Sequence, residues 1–134
     1  MSDVRAISYL LRNNATLIAV VPAAKIFSGV IPINTALPAI VVRHIDGVEY
    51  KTLKNAGAKI ITARVQVTVQ ATTYATQKSI LELIRLALLT TRSTVNSVVV
   101  DSISSEGSGP DLHDVDANIF EQSRDFAIRY QVST

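Results

Sequence analysis

Residues 60–71 constrain this chain more than any other stretch: Ile61, Ala63, Val65, Val67, Val69 and Ala71 alternate without a break with Thr62, Arg64, Gln66, Thr68 and Gln70. Successive side chains of a β-strand point to opposite faces, so a period of two predicts a strand with one packed and one wet face. The packed face needs cover. Residues 76–90 predict a helix on which Ile80, Leu81, Leu83, Ile84, Leu86, Ala87, Leu88 and Leu89 spread over more than half the circumference. So wide an apolar surface has to be covered on two sides, by the sheet and by another helix or another subunit.

The other elements arrange themselves around these two. Ser2 and Asp3 open a helix on Val4, Ile7, Leu10 and Leu11, spaced by three and four, until Asn13 and Asn14 interrupt it. A short helical turn over 16–21 stops at Pro22, because proline disfavours the helical conformation in the residue before it. Residues 25–38 read as short extended pieces punctuated by Gly29, Pro32 and Pro38. The β-branched run 39–45 predicts a strand bounded by Pro38 and by Asp46 with Gly47. Strands are also predicted over 97–103 and 120–132, the last with Phe126, Ile128 and Tyr130 on one face. Two longer connections remain. Residues 46–59 form a polar segment carrying Lys51, Lys54 and Lys59, too long for a tight turn and of the length that functional loops have; residues 104–118 are rich in Gly, Ser and Asp.

A chain of 134 residues, 48% of them hydrophobic, can bury one core and is too short for two. The expected fold is a single α+β domain over 1–134: a mostly antiparallel sheet of four to five strands packed against two main helices, in the order α-(α)-β-β-α-β-β. The first twelve residues are amphipathic and lack the basic-then-apolar order of a secretory signal. The apolar run 80–89 is broken by Glu82 and Arg85 and falls short of the roughly 20 residues a spanning helix needs, so no membrane is expected as a partner and the chain reads as soluble.

Catalytic chemistry finds little to stand on. There is no cysteine, which removes disulfides, thiolate metal sites and cysteine nucleophiles. His44 lies within a predicted strand, with no carboxylate at a spacing that would orient it, and reads as a packed or surface histidine. No serine sits in a nucleophile elbow, and the glycines around Ser108 are followed by Pro110 instead of a lysine-bearing helix, so a phosphate cradle is missing too. Asp114, Asp116, Asn118 and Asp125 echo a calcium loop, yet Ile119 stands where the sharp turn requires glycine. Asp111, His113 and Asp114 offer one histidine among acids, a weak transition-metal set. A solvated acidic loop accounts for the same letters. No enzyme, metal or cofactor is assigned.

Charge is more informative than its total of +2 suggests. Residues 1–100 carry eleven Lys or Arg against four acids, a net +7, whereas residues 101–134 carry two Arg against seven acids, a net −5. Such a separation suits a subunit that meets its neighbour head to tail, with one basic and one acidic surface. It equally suits two ends that neutralise each other within one fold. A basic nucleic-acid-binding module is a further alternative, although the lysines are scattered, tryptophan is absent and the aromatics do not interleave with arginines.

Three stretches taken in order resemble the phage tail completion family. Lys25, Ile26 and Phe27, followed after a proline-containing spacer by Leu37, Pro38, Ala39, Ile40, Val41 and Val42, are similar to that family's arginine-isoleucine-tyrosine and leucine-proline-tyrosine-isoleucine-valine segments. Ala63, Arg64, Val65, Gln66 and Val67 follow, continuing through Thr72, Thr73 and Tyr74 into the helix that ends Ile84, Arg85, Leu86, Ala87 and Leu88. The third stretch, 123–130, is similar to the family's final strand. Ala39, Lys25 and Phe27 depart from the pattern in fit and not in chemistry.

The resemblance implies a virion structural protein that assembles in the host cytoplasm and sits at the head-proximal end of the tail. It implies a hexameric ring of this chain that binds the last ring of tail tube protein, stops polymerisation and presents a surface to the head-completion or connector protein, with genomic DNA passing through. A neck or connector protein is the alternative within the same virion. Under this resemblance Lys51, Lys54, Lys59, Asp111, Asp114 and Asp116 are the candidate ring or tube contacts. The row Arg64, Gln66, Thr68 and Gln70 either faces the channel or forms an ordinary outer sheet face.

Overall fold

The computed structural model describes residues 2–51, 58–89, 93–95 and 98–133. The alternating stretch stands at the centre of the sheet: β3 (Ala58–Ala71) runs antiparallel to both β2 (Ala39–Lys51) and β7 (Ile119–Ser133). β5 (Val98–Ser108) pairs with the far side of β7, and β4 (Ser93–Val95) pairs with β5. β6 (Leu112–Asp114) lies beside the start of β7, while β1 (Ile26–Ser28) runs parallel to the start of β2. The sheet is therefore mixed and seven-stranded, larger than the four or five strands predicted. The additional strands β1, β4 and β6 are three residues each, too short for a period of two to register in the sequence.

Partners across an antiparallel pair face the same side, and the register sets Val65 beside Phe126, Ala63 beside Ile128 and Ile61 beside Tyr130. That face carries the core. Over it lie α1 (Ser2–Arg12), the single turn α2 (Ala15–Ile18) and α3 (Tyr74–Leu88), contributing Ile7, Leu11, Leu17, Ile80, Ile84 and Leu88 to one buried cluster. Asn14, predicted only to interrupt a helix, caps the next one by accepting a hydrogen bond from Leu17 N at 3.0 Å. Thr73 does the same for α3, accepting from Thr76 N at 3.2 Å, so the helix starts two residues before its predicted first residue. The wide apolar surface of α3 is mostly covered within the chain; Leu86 and Leu89 remain exposed.

The two predicted loops are largely strand. Asp46 and Gly47 look like a terminator, but the register shift between His44 and Asp46 is a β-bulge that absorbs Ile45, after which pairing resumes from Asp46 opposite Arg64 to Lys51 opposite Lys59. What remains of the 46–59 loop is 52–57, which includes Lys54 and lies outside the described residues. In 104–118, β5 runs on to Ser108 through a second bulge, where Gly107 takes a φ of 135°, a conformation an L side chain rarely adopts. β6 then occupies the middle of that segment.

Candidate assembly interfaces

The polar row of β3 lies on the face of the sheet away from the core, and β7 supplies it with partners. Arg64 Nε donates to Asp125 Oδ2 at 2.9 Å and Gln66 Nε2 reaches Asp125 Oδ1 at 3.4 Å. Thr68 and Ser123 share a hydroxyl hydrogen bond at 2.8 Å, and Gln70 Nε2 donates to Glu121 Oε1 at 2.7 Å. Two aligned rows of polar side chains thus form a ladder. Thr68 is only 2% exposed, and Arg64 is the most open member of the predicted row. Near Gln70, a cleft of about 530 Å³ is walled by Ile31, Pro32, Ile33 and Leu37 on one side and Arg43 and Thr72 on the other.

The acidic residues gather on the arm that contains β6. Asp111 accepts hydrogen bonds from Lys78 Nζ at 2.6 Å and Tyr74 Oη at 3.0 Å, which ties the arm to the first turns of α3. The ammonium of Lys78 also reaches Gln122, whose amide donates to Gly109 O at 2.8 Å. His113 stacks on Phe120, their rings nearly parallel with centroids 4.0 Å apart. Asp114 Oδ1 accepts from Ala117 N at 3.1 Å and closes the turn, with Asp116 exposed upon it. Asp125, the fourth member of the predicted calcium set, instead serves Arg64 and Gln66 on the outer face. Among the described residues no three His, Asp or Glu come together in a way that holds a metal ion.

The hydrogen bond from Lys78 holds the Asp111 carboxyl below its ordinary pKa, and the same bond raises the Lys78 ammonium above its own. A lowered carboxyl contributes stability above its ordinary value and loses it as pH falls through the lowered one; a raised ammonium loses its contribution only as pH climbs through the raised value. Amide protection over 111–114, taken relative to the intrinsic exchange rate at each pH, is therefore expected to be level near neutral pH and to fall in acid below the ordinary carboxylate range. Lys78→Met should remove that acid limb and speed exchange roughly two- to five-fold at neutral pH, the scale of an exposed ion pair. An unchanged profile in Lys78→Met would show that the tie does not hold the arm.

The structure separates the lysines from the acids. Lys51 and Lys59 stand opposite each other in the register near the end of the β2–β3 hairpin, where β7 finishes, whereas β6 pairs with the first residues of β7. At about 3.3 Å per residue the length of β7 puts the two groups roughly 40 Å apart along the sheet.

One cluster escaped sequence reasoning. His44 was expected to lack a carboxylate to orient it, yet its Nδ1 pairs with Asp3, 41 residues earlier, and Asp3 is wholly buried. The sequence did hold a signal: Asp3, Ile7 and Leu11 recur every four residues, so Asp3 shares the buried stripe of α1 instead of capping the helix. Beside the pair opens a groove of about 720 Å³ between α1 and the start of β2, walled by Val4, Tyr9 and Val42 and flanked by Arg5, Arg12 and Arg43. Arg12 donates twice to Ile26 O, at 2.6 and 3.1 Å, and Arg43 donates to Gly29 O at 2.7 Å. Ser8 and Ser28 are hydrogen-bonded to each other at 3.1 Å along the same wall.

A family model described as tail completion protein gp17 matches residues 5–131, from α1 through almost all of β7. The chain belongs to this family. As a tail completion protein it is a structural component of the phage virion, in the tail, and the resemblance seen over 25–27, 37–42, 63–88 and 123–130 is borne out. The fold of this tail completion protein is similar to that of a chain from the virion of a native gene transfer agent (GTA) particle, with a TM-score of 0.71 and 18% identity over 95% of this chain and 92% of that one. No curated protein matches it in sequence. Among the described residues, no helix of this tail completion protein is long and apolar enough to cross a membrane.

Proposed function

We propose that this tail completion protein closes the head-proximal end of the tail tube as a hexameric ring. The ring docks on the last ring of tail tube protein, halts polymerisation and offers its opposite surface to the head-completion or connector protein, while genomic DNA passes through its centre. The observation that supports this most is the family match over residues 5–131, nearly the whole chain. Two features agree with it. A heterologous contact that closes on itself needs two different complementary patches per subunit, and the chain carries an arginine-flanked groove at one edge of its sheet and an acidic arm at the other. The polar ladder on the outer face, with Arg64, Gln66, Thr68 and Gln70, is a polar surface suited to a channel wall, and the β2–β3 hairpin, whose pairing runs to Lys51 opposite Lys59, extends as an arm towards the tube.

The test is tail assembly. Cognate tube protein polymerised on its initiator is expected to give tubes capped by a six-fold ring when this chain is present and overlong uncapped tubes when it is withheld, as seen by electron microscopy. A chain that stays monomeric alone and with the tube, or particles that lack it and still join tails of normal length to heads, would disprove the proposal. Retention of connector but not tube protein in a pull-down would move the chain to the neck.

A further inference from the structure

We propose that the groove between α1 and β2 receives the acidic β6 turn of the neighbouring copy, with Val115 and Leu112 seated against Val4 and Tyr9, and Asp114 and Asp116 facing Arg5, Arg12 and Arg43. This rests on the ring proposed above and names the contact that closes it. The groove offers apolar wall and unneutralised charge together: among the described residues none of the three arginines forms an ion pair with a carboxylate. Arg12 and Arg43 are also held in place by the carbonyls of Ile26 and Gly29, so little side-chain freedom remains to be lost when an acid arrives.

The β6 turn is the counterpart. Leu112 is 51% exposed and Val115 77%, two apolar side chains standing in water between aspartates. The turn is braced from behind by Asp111 on Lys78 and Tyr74 and by His113 on Phe120, which presents it as a fixed knob. The two surfaces cannot serve one another in a single chain, because β6 lies on the far side of β7 from β3, about 14 Å of sheet from β2 at the usual strand spacing. They belong to opposite edges, the arrangement a head-to-tail contact uses. The apolar knob supplies most of the attachment, and the charges fix its register and orientation.

The absence of cysteine makes the test direct. Copies carrying Tyr9→Cys are mixed with copies carrying Val115→Cys, both at exposed positions, and oxidised in air at high protein concentration. A covalent dimer containing one of each is expected from the mixture and from neither variant alone, and the doubly substituted chain should give a ladder ending at the closed ring. Arg5→Glu with Arg43→Glu should lower the mixed dimer at least tenfold, and Asp114→Arg with Asp116→Arg in the partner copy should restore it. Circular dichroism checks that each variant is folded. Rings that form without the mixed cross-link, or a groove cysteine that links only to tube protein, overturn this contact and leave the ring standing; a chain that makes no ring alone or on the tube disproves the ring and this contact with it.

Discussion

Replacing Phe126 with alanine is expected to lower the stability of the fold by about 3–5 kcal/mol, the cost of removing a fully buried aromatic side chain and leaving most of its volume empty. Phe126 is the largest side chain of the core with no exposure at all. It sits mid-way along β7, beside Val65 of β3 on one side and Ser105 of β5 on the other, so no neighbour of comparable size can slide in. A domain of this size has only about 5–15 kcal/mol to lose. Guanidinium unfolding should show a much lower midpoint with an unchanged slope, and Phe126→Leu, which keeps most of the volume, should fall only by about 1 kcal/mol. A loss under 1 kcal/mol in Phe126→Ala would mean that this part of β7 is not the centre of the core.

His44→Ala is the second large change. It strands the Asp3 carboxylate, which is wholly buried and whose Oδ1 already has no hydrogen-bond partner among the described residues. Removing one member of a buried pair costs roughly 3–5 kcal/mol; the lower figure applies because the imidazole itself is 30% exposed. Replacing both members removes the orphan, so Asp3→Ala with His44→Ala should be more stable than His44→Ala alone, a sign reversal that a double-mutant cycle reads directly. The effect should be concentrated in α1, seen as faster amide exchange over residues 2–12. A loss in the double variant equal to the sum of the two single losses would show that the two side chains are not coupled.

Much of the fold was legible because its longest elements have clean periods. The alternation over 60–71 located the central strand, and the heavy apolar content of 76–90 located the helix that covers it. The order of main elements followed from these two. The sheet was underestimated for local reasons: strands of three residues carry no period, and a bulge at Ile45 flips the alternation just where Asp46 and Gly47 look like an end. The candidate contacts divided in the same way. Asp111, Asp114 and Asp116 are close in sequence and stay together on one arm, whereas Arg5, Arg12 and Arg43, which were not among the sequence candidates, line one groove only because α1 crosses the start of β2. Asp3 and His44 meet for the same reason, and spacing along the chain cannot report a contact made by a helix lying across a sheet.

The ladder on the outer face has a consequence for anything that slides past it. Glu121, Ser123 and Asp125 engage Gln70, Thr68, Gln66 and Arg64, so a passing polyanion meets a row in which the cation is already paired with a carboxylate. Only the remaining N–H groups of Arg64 and the glutamines are left to hold it. If the proposed ring turns this face to its channel, a long charged thread would pass a wall whose carboxylates and amides are largely engaged with one another, and would find few places to stop.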